Sequence, residues 1–259
     1  MKLYAFVWSP TGGTARAAAA LTSAWEGAVE TVDLFRCPEA ASEIRFDPSD
    51  VCLAAIPSYG GRVPAPAVNA LKRAAGNGAR AIPVVVYGNR AYEDTLIELC
   101  DVLRDAGFCS VAAVIAVAEH SIFRRYAAGR PDAEDASELQ AYMRRIAQTL
   151  RDGTAKELLT VPGERPYKFY AGSSSFKPIA GENCTLCGLC AEQCPAAAIP
   201  AEDPKVTDPD RCISCMHCIA VCPAAARNNR EPLLSETAER MYERFAGRKA
   251  NELLMHQGE

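Results

Sequence analysis

Long apolar runs are missing from this 259-residue chain. No stretch approaches the roughly 18 consecutive apolar residues that a membrane-spanning helix needs, so no membrane span is expected. The first ten residues, M-K-L-Y-A-F-V-W-S-P, lack the longer apolar region and small-residue cleavage site of a secretory leader. They run straight into a glycine turn and read instead as a first strand. An excess of basic charge is also missing: the formal net charge is −4. Phosphate backbones select basic faces, so nucleic acid is not an expected partner. The one glycine–hydroxyl turn has no Gly-Lys-Ser/Thr ending, which excludes an ATP-type loop. Gly76-Asn77-Gly78-Ala79-Arg80-Ala81 matches G-x-G-x-x-A but lies between a helix and a strand, the wrong order for a dinucleotide fingerprint.

Cysteine, by contrast, is abundant, with 12 in the chain. Eight of them write one frame twice. Residues 184–195 read C-T-L-C-G-L-C-A-E-Q-C-P, and residues 212–223 read C-I-S-C-M-H-C-I-A-V-C-P. Zinc sites use paired C-x₂-C arms with four ligands, not two runs of four ending in C-P. A disulfide framework belongs to small chains in an oxidising compartment. The repeated C-x₂-C-x₂-C-x₃-C-P is the bacterial ferredoxin arrangement for [4Fe–4S] clusters, in which the fourth cysteine of each run serves the other cluster. Cys184, Cys187 and Cys190 with Cys222 are therefore expected to hold one cluster, and Cys212, Cys215 and Cys218 with Cys194 the other. Small neighbours (Gly188, Ala191, Ser214, Ala220) let backbone amides approach the sulfurs. Cys37, Cys52, Cys100 and Cys109 read as small buried hydrophobes. Iron-binding thiolates beside unpaired cysteines imply a reducing compartment, the cytoplasm. His217, inside the second run, reads as a spacer, since four thiolates already complete each cluster. Each cubane adds a charge of about −2, so a redox protein partner with a basic docking patch is expected.

The first half alternates strands and helices, the pattern of a parallel α/β sheet. Strands are expected at 2–8, 29–34, 50–56, 80–87 and 110–118, with helices at 15–25, 65–75, 93–106 and 132–151. Between the first strand and helix lies Ser9-Pro10-Thr11-Gly12-Gly13-Thr14. Backbone N–H groups at a helix N-terminus, with three hydroxyls and no lysine, suit a single terminal phosphate. Pro10 removes one of those donors. Two further loops fall at carboxyl ends of strands, Pro57-Ser58-Tyr59-Gly60-Gly61-Arg62 and Gly88-Asn89-Arg90-Ala91-Tyr92. Glu119-His120-Ser121 follows the fifth strand, where His120 reads as a hydrogen-bonded structural histidine.

The S-P-T-G-G-T loop resembles the phosphate loop of flavodoxins, and the whole chain resembles the flavodoxin–ferredoxin fusions of anaerobic bacteria, the EFR-family ferredoxins. The resemblance implies a doubly wound five-stranded parallel sheet of order 2-1-3-4-5, with ligand at the carboxyl ends of its strands. It implies FMN, its phosphate held by Ser9, Thr11, Gly12, Gly13 and Thr14. Its ring would contact Pro57, Ser58, Tyr59, Gly60, Gly61, Gly88, Asn89, Arg90 and Tyr92. Tyr59 and Tyr92 would stack, and Arg62 or Arg90 would place positive charge by the reduced ring.

The expected units are a flavodoxin-like domain at 1–152, a linker arm at 153–180, a small α+β two-cluster ferredoxin domain at 181–230, and a C-terminal helix within 231–259 packing on the first domain. The arm has linker composition, but Tyr167, Phe169, Tyr170 and Phe176 predict that it packs. The tail reads helical from Pro232 to Leu254, on an apolar stripe that includes Leu233, Leu253 and Leu254. The stripe is expected to pack back on the first domain in a monomer, with a homodimer contact as the alternative. The expected role is electron transfer between two clusters, FMN and a partner. The alternative is a flavin-dependent reductase of a small substrate recharged through the clusters, which an open pocket above the ring would favour.

Overall fold

The computed structural model describes residues 1–158, 160–229 and 232–256. Leu159 of the arm, Arg230, Glu231 and residues 257–259 lie outside the described residues, as does the Leu233 side chain of the expected stripe. The elements run β1 (Leu3–Val7), α1 (Gly13–Thr22), β2 (Val29–Asp33), a short 3₁₀ turn (Pro38–Ser42), β3 (Val51–Pro57), α2 (Ala65–Leu71), β4 (Arg80–Tyr87), α3 (Thr95–Asp105), β5 (Cys109–Ser110), β6 (Ala112–Val117) and α4 (Ala133–Arg151). After the arm come β7 (Ile179–Ala180), α5 (Leu189–Glu192), α6 (His217–Ala220), β8 (Arg227–Asn228), α7 (Leu233–Phe245) and β9 (Glu252–Met255).

The main sheet has the order β2-β1-β3-β4-β6-β9, with β5 beside β4. The first five strands of that path are parallel and keep the expected doubly wound order. Every residue of β1, β3 and β6 is buried, which explains their continuous apolar sequences: helices cover both faces. The edge strand β2 is mostly exposed and reads V-E-T-V-D. One core packs Phe6, Trp8, Phe46, Leu71 and Leu99 on one face. Leu3, Leu21, Trp25, Leu139 and Ile146 form the other. The expected fifth strand is split at Val111, whose N–H nevertheless reaches Ala81 O at 3.0 Å.

The tail differs from its expectation. The helix ends at Phe245, and residues 252–255 form an antiparallel strand on β6, with Leu253 opposite Val114 and Leu254 opposite Ala113. The reason is a change of period. Leu254 packs on one core, whereas Leu253 and Met255 pack on the other. Consecutive apolar residues serving opposite faces make a strand, not a stripe.

A buried polar hub fixes this strand. Asp132 caps α4 reciprocally with Asp135. Asp135 also takes both ends of the Arg130 guanidinium, and the two side chains are 1% and 5% exposed. Asn251 donates to Asp135 (3.0 Å) and to Glu138 and accepts from Val117 N (2.8 Å). Among the described residues no helix is long and apolar enough to cross a membrane.

Candidate functional site

The two cysteine runs repeat in backbone as well as in sequence. Leu186, Gly188 and Ala197 have positive φ, and so do Ser214, Met216 and Ala225, the residues at the same places in the second run. α5 and α6 occupy matching positions, and β7 pairs with β8 across the module. Ala198 N donates to Cys194 Sγ (3.3 Å) and Ala226 N to Cys222 Sγ (3.2 Å), the same bond in each half.

The eight sulfurs sort into two sets. One cavity is walled by Cys184, Cys187, Cys190 and Cys222. A second is walled by Cys194, Cys212, Cys215 and Cys218. Among the described residues no three His, Cys, Asp or Glu groups converge on a point that one ion would fill. Each set of four instead surrounds a space, as ligands do when each binds a different corner of a cluster. Burial pushes the Cys215 and Cys218 thiols up to about 12. Their deprotonation therefore has to accompany metal binding, which couples assembly to folding. At Cys222 burial acts in the same direction, but the N–H groups of Arg227, Ala226 and Ala224 outweigh it and lower the pKa. Of the remaining cysteines, Cys52 and Cys100 are buried and Cys109 is half-buried. Cys37 is exposed, contrary to the expectation of a buried side chain.

A third cavity opens at the carboxyl end of the sheet. The loop before α1 brings Pro10 and Thr11 to it and the start of α1 Gly13 and Thr14, while the β3 loop brings Pro57, Ser58, Tyr59 and Gly60. Gly88 and Arg90 come from the β4 loop and His120 from the β6 loop. Gly12 turns the chain at φ 86 just before α1, a conformation that costs glycine least. The helix N-terminus supplies partial positive charge there.

Five expected contacts stand outside the lining. Ser9 instead accepts from Ala15 N (3.0 Å), a local cap. Gly12 shapes the turn and Gly61 follows the lining residues. The Asn89 side chain points elsewhere: its Nδ2 donates to Phe245 O (2.7 Å) and Gly247 O (2.8 Å). Tyr92 packs edge-on against Tyr87 at 5.5 Å. Arg62 is committed to Glu98 through two bonds of 2.7 and 2.8 Å and to Lys168 O of the arm. Arg90 is the arginine left at the cavity, balanced by Glu93 at 3.0 Å. His120 is neutral at physiological pH, because burial, aided by nearby Arg90, pushes its pKa down to about 4. Its Nδ1 accepts from Ile122 N and Phe123 N, so the proton sits on Nε2.

The rest of the cavity wall was not legible in the loops. Tyr170, Ser174 and Phe176 come from the arm, and Ile213 and Ser214 from the second cysteine run. Tyr170 lies directly on Gly60, where a Cβ would stand 2.3 Å from its ring. Phe176 meets Phe123 at 5.1 Å, and Ser174 and Ser214 exchange bonds of 3.3 Å. Aromatic residues in an otherwise polar linker were the available signal.

Two carboxylates of α3, Asp94 at its N-cap and Asp101 further along, hold the arm down. Asp94 accepts from Glu164 N (2.9 Å) and Lys168 N (2.6 Å). Asp101 takes Arg165 through two bonds of 2.6 and 2.7 Å, and Tyr167 besides. The Arg165 bonds lower Asp101 to about 2 from an ordinary 3.8, against its burial. A depressed carboxylate stabilises above its unfolded pKa and ceases to do so as pH falls through the folded one. Amide protection of residues 164–168 is therefore expected to hold at pH 5 and to drop about tenfold toward pH 2, with Asp101→Asn lowering it at neutral pH. Equal protection factors at pH 5 and pH 2 would rule this anchor out.

Residues 183–226 match the family of 4Fe-4S dicluster domains. Among solved structures, flavodoxin 1 from Bacillus cereus is similar at 16% identity, covering 57% of this chain and 98% of its own, with a TM-score of 0.42. The Streptococcus pneumonia TIGR4 flavodoxin has 16% identity, coverage of 57% and 97%, and a TM-score of 0.41. Rubredoxin oxygen:oxidoreductase from Desulfovibrio gigas has 18% identity and a TM-score of 0.46 over 60% of this chain and 37% of its own. Comparison with curated proteins finds no match. The strand order of this chain's own sheet carries the flavodoxin-like assignment. The chain thus joins a flavodoxin-like fold to a 4Fe–4S dicluster domain.

Proposed function

We propose that this protein is an electron-transfer iron–sulfur flavoprotein with two [4Fe–4S] clusters and one FMN, exchanging electrons with a redox protein partner. In this reading a flavin domain spans 1–152, an arm 153–180, a cluster domain 181–230 and a tail 231–259, whose strand β9 returns to the sheet. One observation carries the reading. Ile213 lines both the sheet-end cavity and the cavity of Cys194, Cys212, Cys215 and Cys218. A single residue wall between the two sites supports an inner cluster beside the flavin. The set of Cys184, Cys187, Cys190 and Cys222 is then the outer one. Cys187 is exposed and its neighbour Leu186 is 57% exposed, which suits contact with a partner.

A bound flavin stores one or two electrons and so joins one-electron to two-electron chemistry. The chain's residues do the rest. Thr11, Gly13 and Thr14 offer hydroxyl and backbone donors to a phosphate. Arg90 places positive charge at the ring end. Tyr170 and Phe176 line the cavity from the arm.

Anaerobic analysis of the reconstituted protein is expected to give about one FMN and eight irons per chain, the count two cubanes require. Reduction of the clusters should be followed by reduction of the flavin in stopped-flow mixing. Eight irons with no flavin would refute the assignment of the sheet-end cavity. Flavin that stays oxidised beside reduced clusters would refute the internal path.

A further inference from the structure

His217, expected to be a spacer, sits between two cluster ligands and reaches the other domain. It is 4% exposed. Its Nδ1 lies 2.7 Å from Pro10 O, in the loop that opens the sheet-end cavity. Its Nε2 lies 3.0 Å from the side-chain oxygen Oε1 of Gln193, the residue before Cys194. Its ring meets Phe35 edge-on at 4.5 Å. A carbonyl only accepts, so the Pro10 bond fixes the proton on Nδ1. Pro10 in turn has no N–H to spend elsewhere, and its carbonyl is the loop's handle for the cluster module.

Both partners of this ring are tied to sites. On one side the second cysteine run folds as Cys215-Met216-His217-Cys218, with Met216 at φ 62 starting α6. Its geometry is set by three cluster ligands. On the other side Pro10 precedes Thr11, Gly13 and Thr14, which line the flavin cavity. A change in either loop moves one end of a buried hydrogen bond whose other end is fixed by the second site.

We propose that His217 is a positioning residue that couples the two sites: it holds the phosphate loop in its binding geometry only when the second cysteine run is wrapped on its cluster. The inference rests on the flavin reading above. By linkage, what the cluster gives to FMN affinity, FMN returns to cluster retention in the same proportion. Since the bond ends on the phosphate loop, FMN feels it more than riboflavin does.

The test uses the full-length, cluster-loaded protein. FMN and riboflavin affinities are read by quenching of flavin fluorescence, with iron counted in every sample. An asparagine amide nitrogen overlays Nδ1, so His217→Asn keeps the donor to Pro10. His217→Gln overlays Nε2 and loses it. His217→Gln and His217→Ala are expected to weaken FMN by about fivefold to tenfold, the worth of one buried hydrogen bond, and riboflavin by less. His217→Asn should stay within about twofold of the parent. In the parent protein, saturating FMN should slow iron loss to a chelator, and this protection should be lost in His217→Gln. Equal FMN affinity in the Gln and Asn variants overturns the proposal, as does a parent whose iron loss ignores FMN. A parent that binds no FMN defeats the flavin reading instead.

Discussion

Replacing Cys215 with alanine is expected to cost one whole cluster: about four irons of about eight, with about half of the cluster absorption. Losing a group that merely supports a metal ligand already lowers metal affinity about 10- to 100-fold, and Cys215 is itself a ligand in this reading. Its thiol is buried, in the core cluster against which Tyr59 and Ile213 pack, so water cannot readily substitute. Flavin reduction by clusters should then fall to the rate at which the reductant attacks flavin directly. Cys187→Ala offers the contrast. It should also remove about four irons, but the inner set stays intact and a small reductant should still reduce the flavin through it. If Cys187→Ala slows that reduction as much as Cys215→Ala, the order of outer cluster, inner cluster and flavin is wrong.

The second large effect concerns stability. Asp135→Ala leaves the Arg130 guanidinium buried without a counter-charge and strips Asn251 of one acceptor. Removing one partner of a buried ion pair costs about 3–5 kcal/mol. The loss should appear in urea unfolding followed by Trp8 and Trp25, both buried in the sheet domain. Arg130→Met added to Asp135→Ala should recover part of it, because the uncompensated charge is gone. A loss below about 1 kcal/mol for Asp135→Ala would show that the Arg130 guanidinium is not left uncompensated and would refute this account.

The parts legible in the sequence were those whose physics is local. A cysteine frame dictates its own loop, and two sets of four cysteines wall separate cavities. Buried parallel strands declare themselves by continuous apolar runs, whereas their order was implied by the resemblance to flavodoxins and not by the pattern itself. The glycine turn before α1 was legible for the same reason. What escaped was decided by distant partners. Asn89 has the composition of a ligand-binding loop residue, but the α7 end, more than 150 positions away, takes its amide. Tyr170 and Phe176 announced packing without saying against what. His217 meets Pro10 across 207 positions, and nothing in either neighbourhood marks the pair. The β9 strand was misread because a four-residue strand following a helix is too short to establish a period of two.

The return of the chain to β6 changes how the molecule can be taken apart. The cluster module is not appended to the sheet domain; it is inserted between α4 and that domain's last strand. Cutting after α4 to isolate a flavin-binding half would strip β9 away and leave the N–H and C=O groups of Ala112–Ile115 unpaired along an apolar margin. Such a margin recruits strands from other molecules. A dissected sheet domain should therefore keep residues 248–256, joined through a short replacement loop, and the truncated form should precipitate where the looped one stays dispersed.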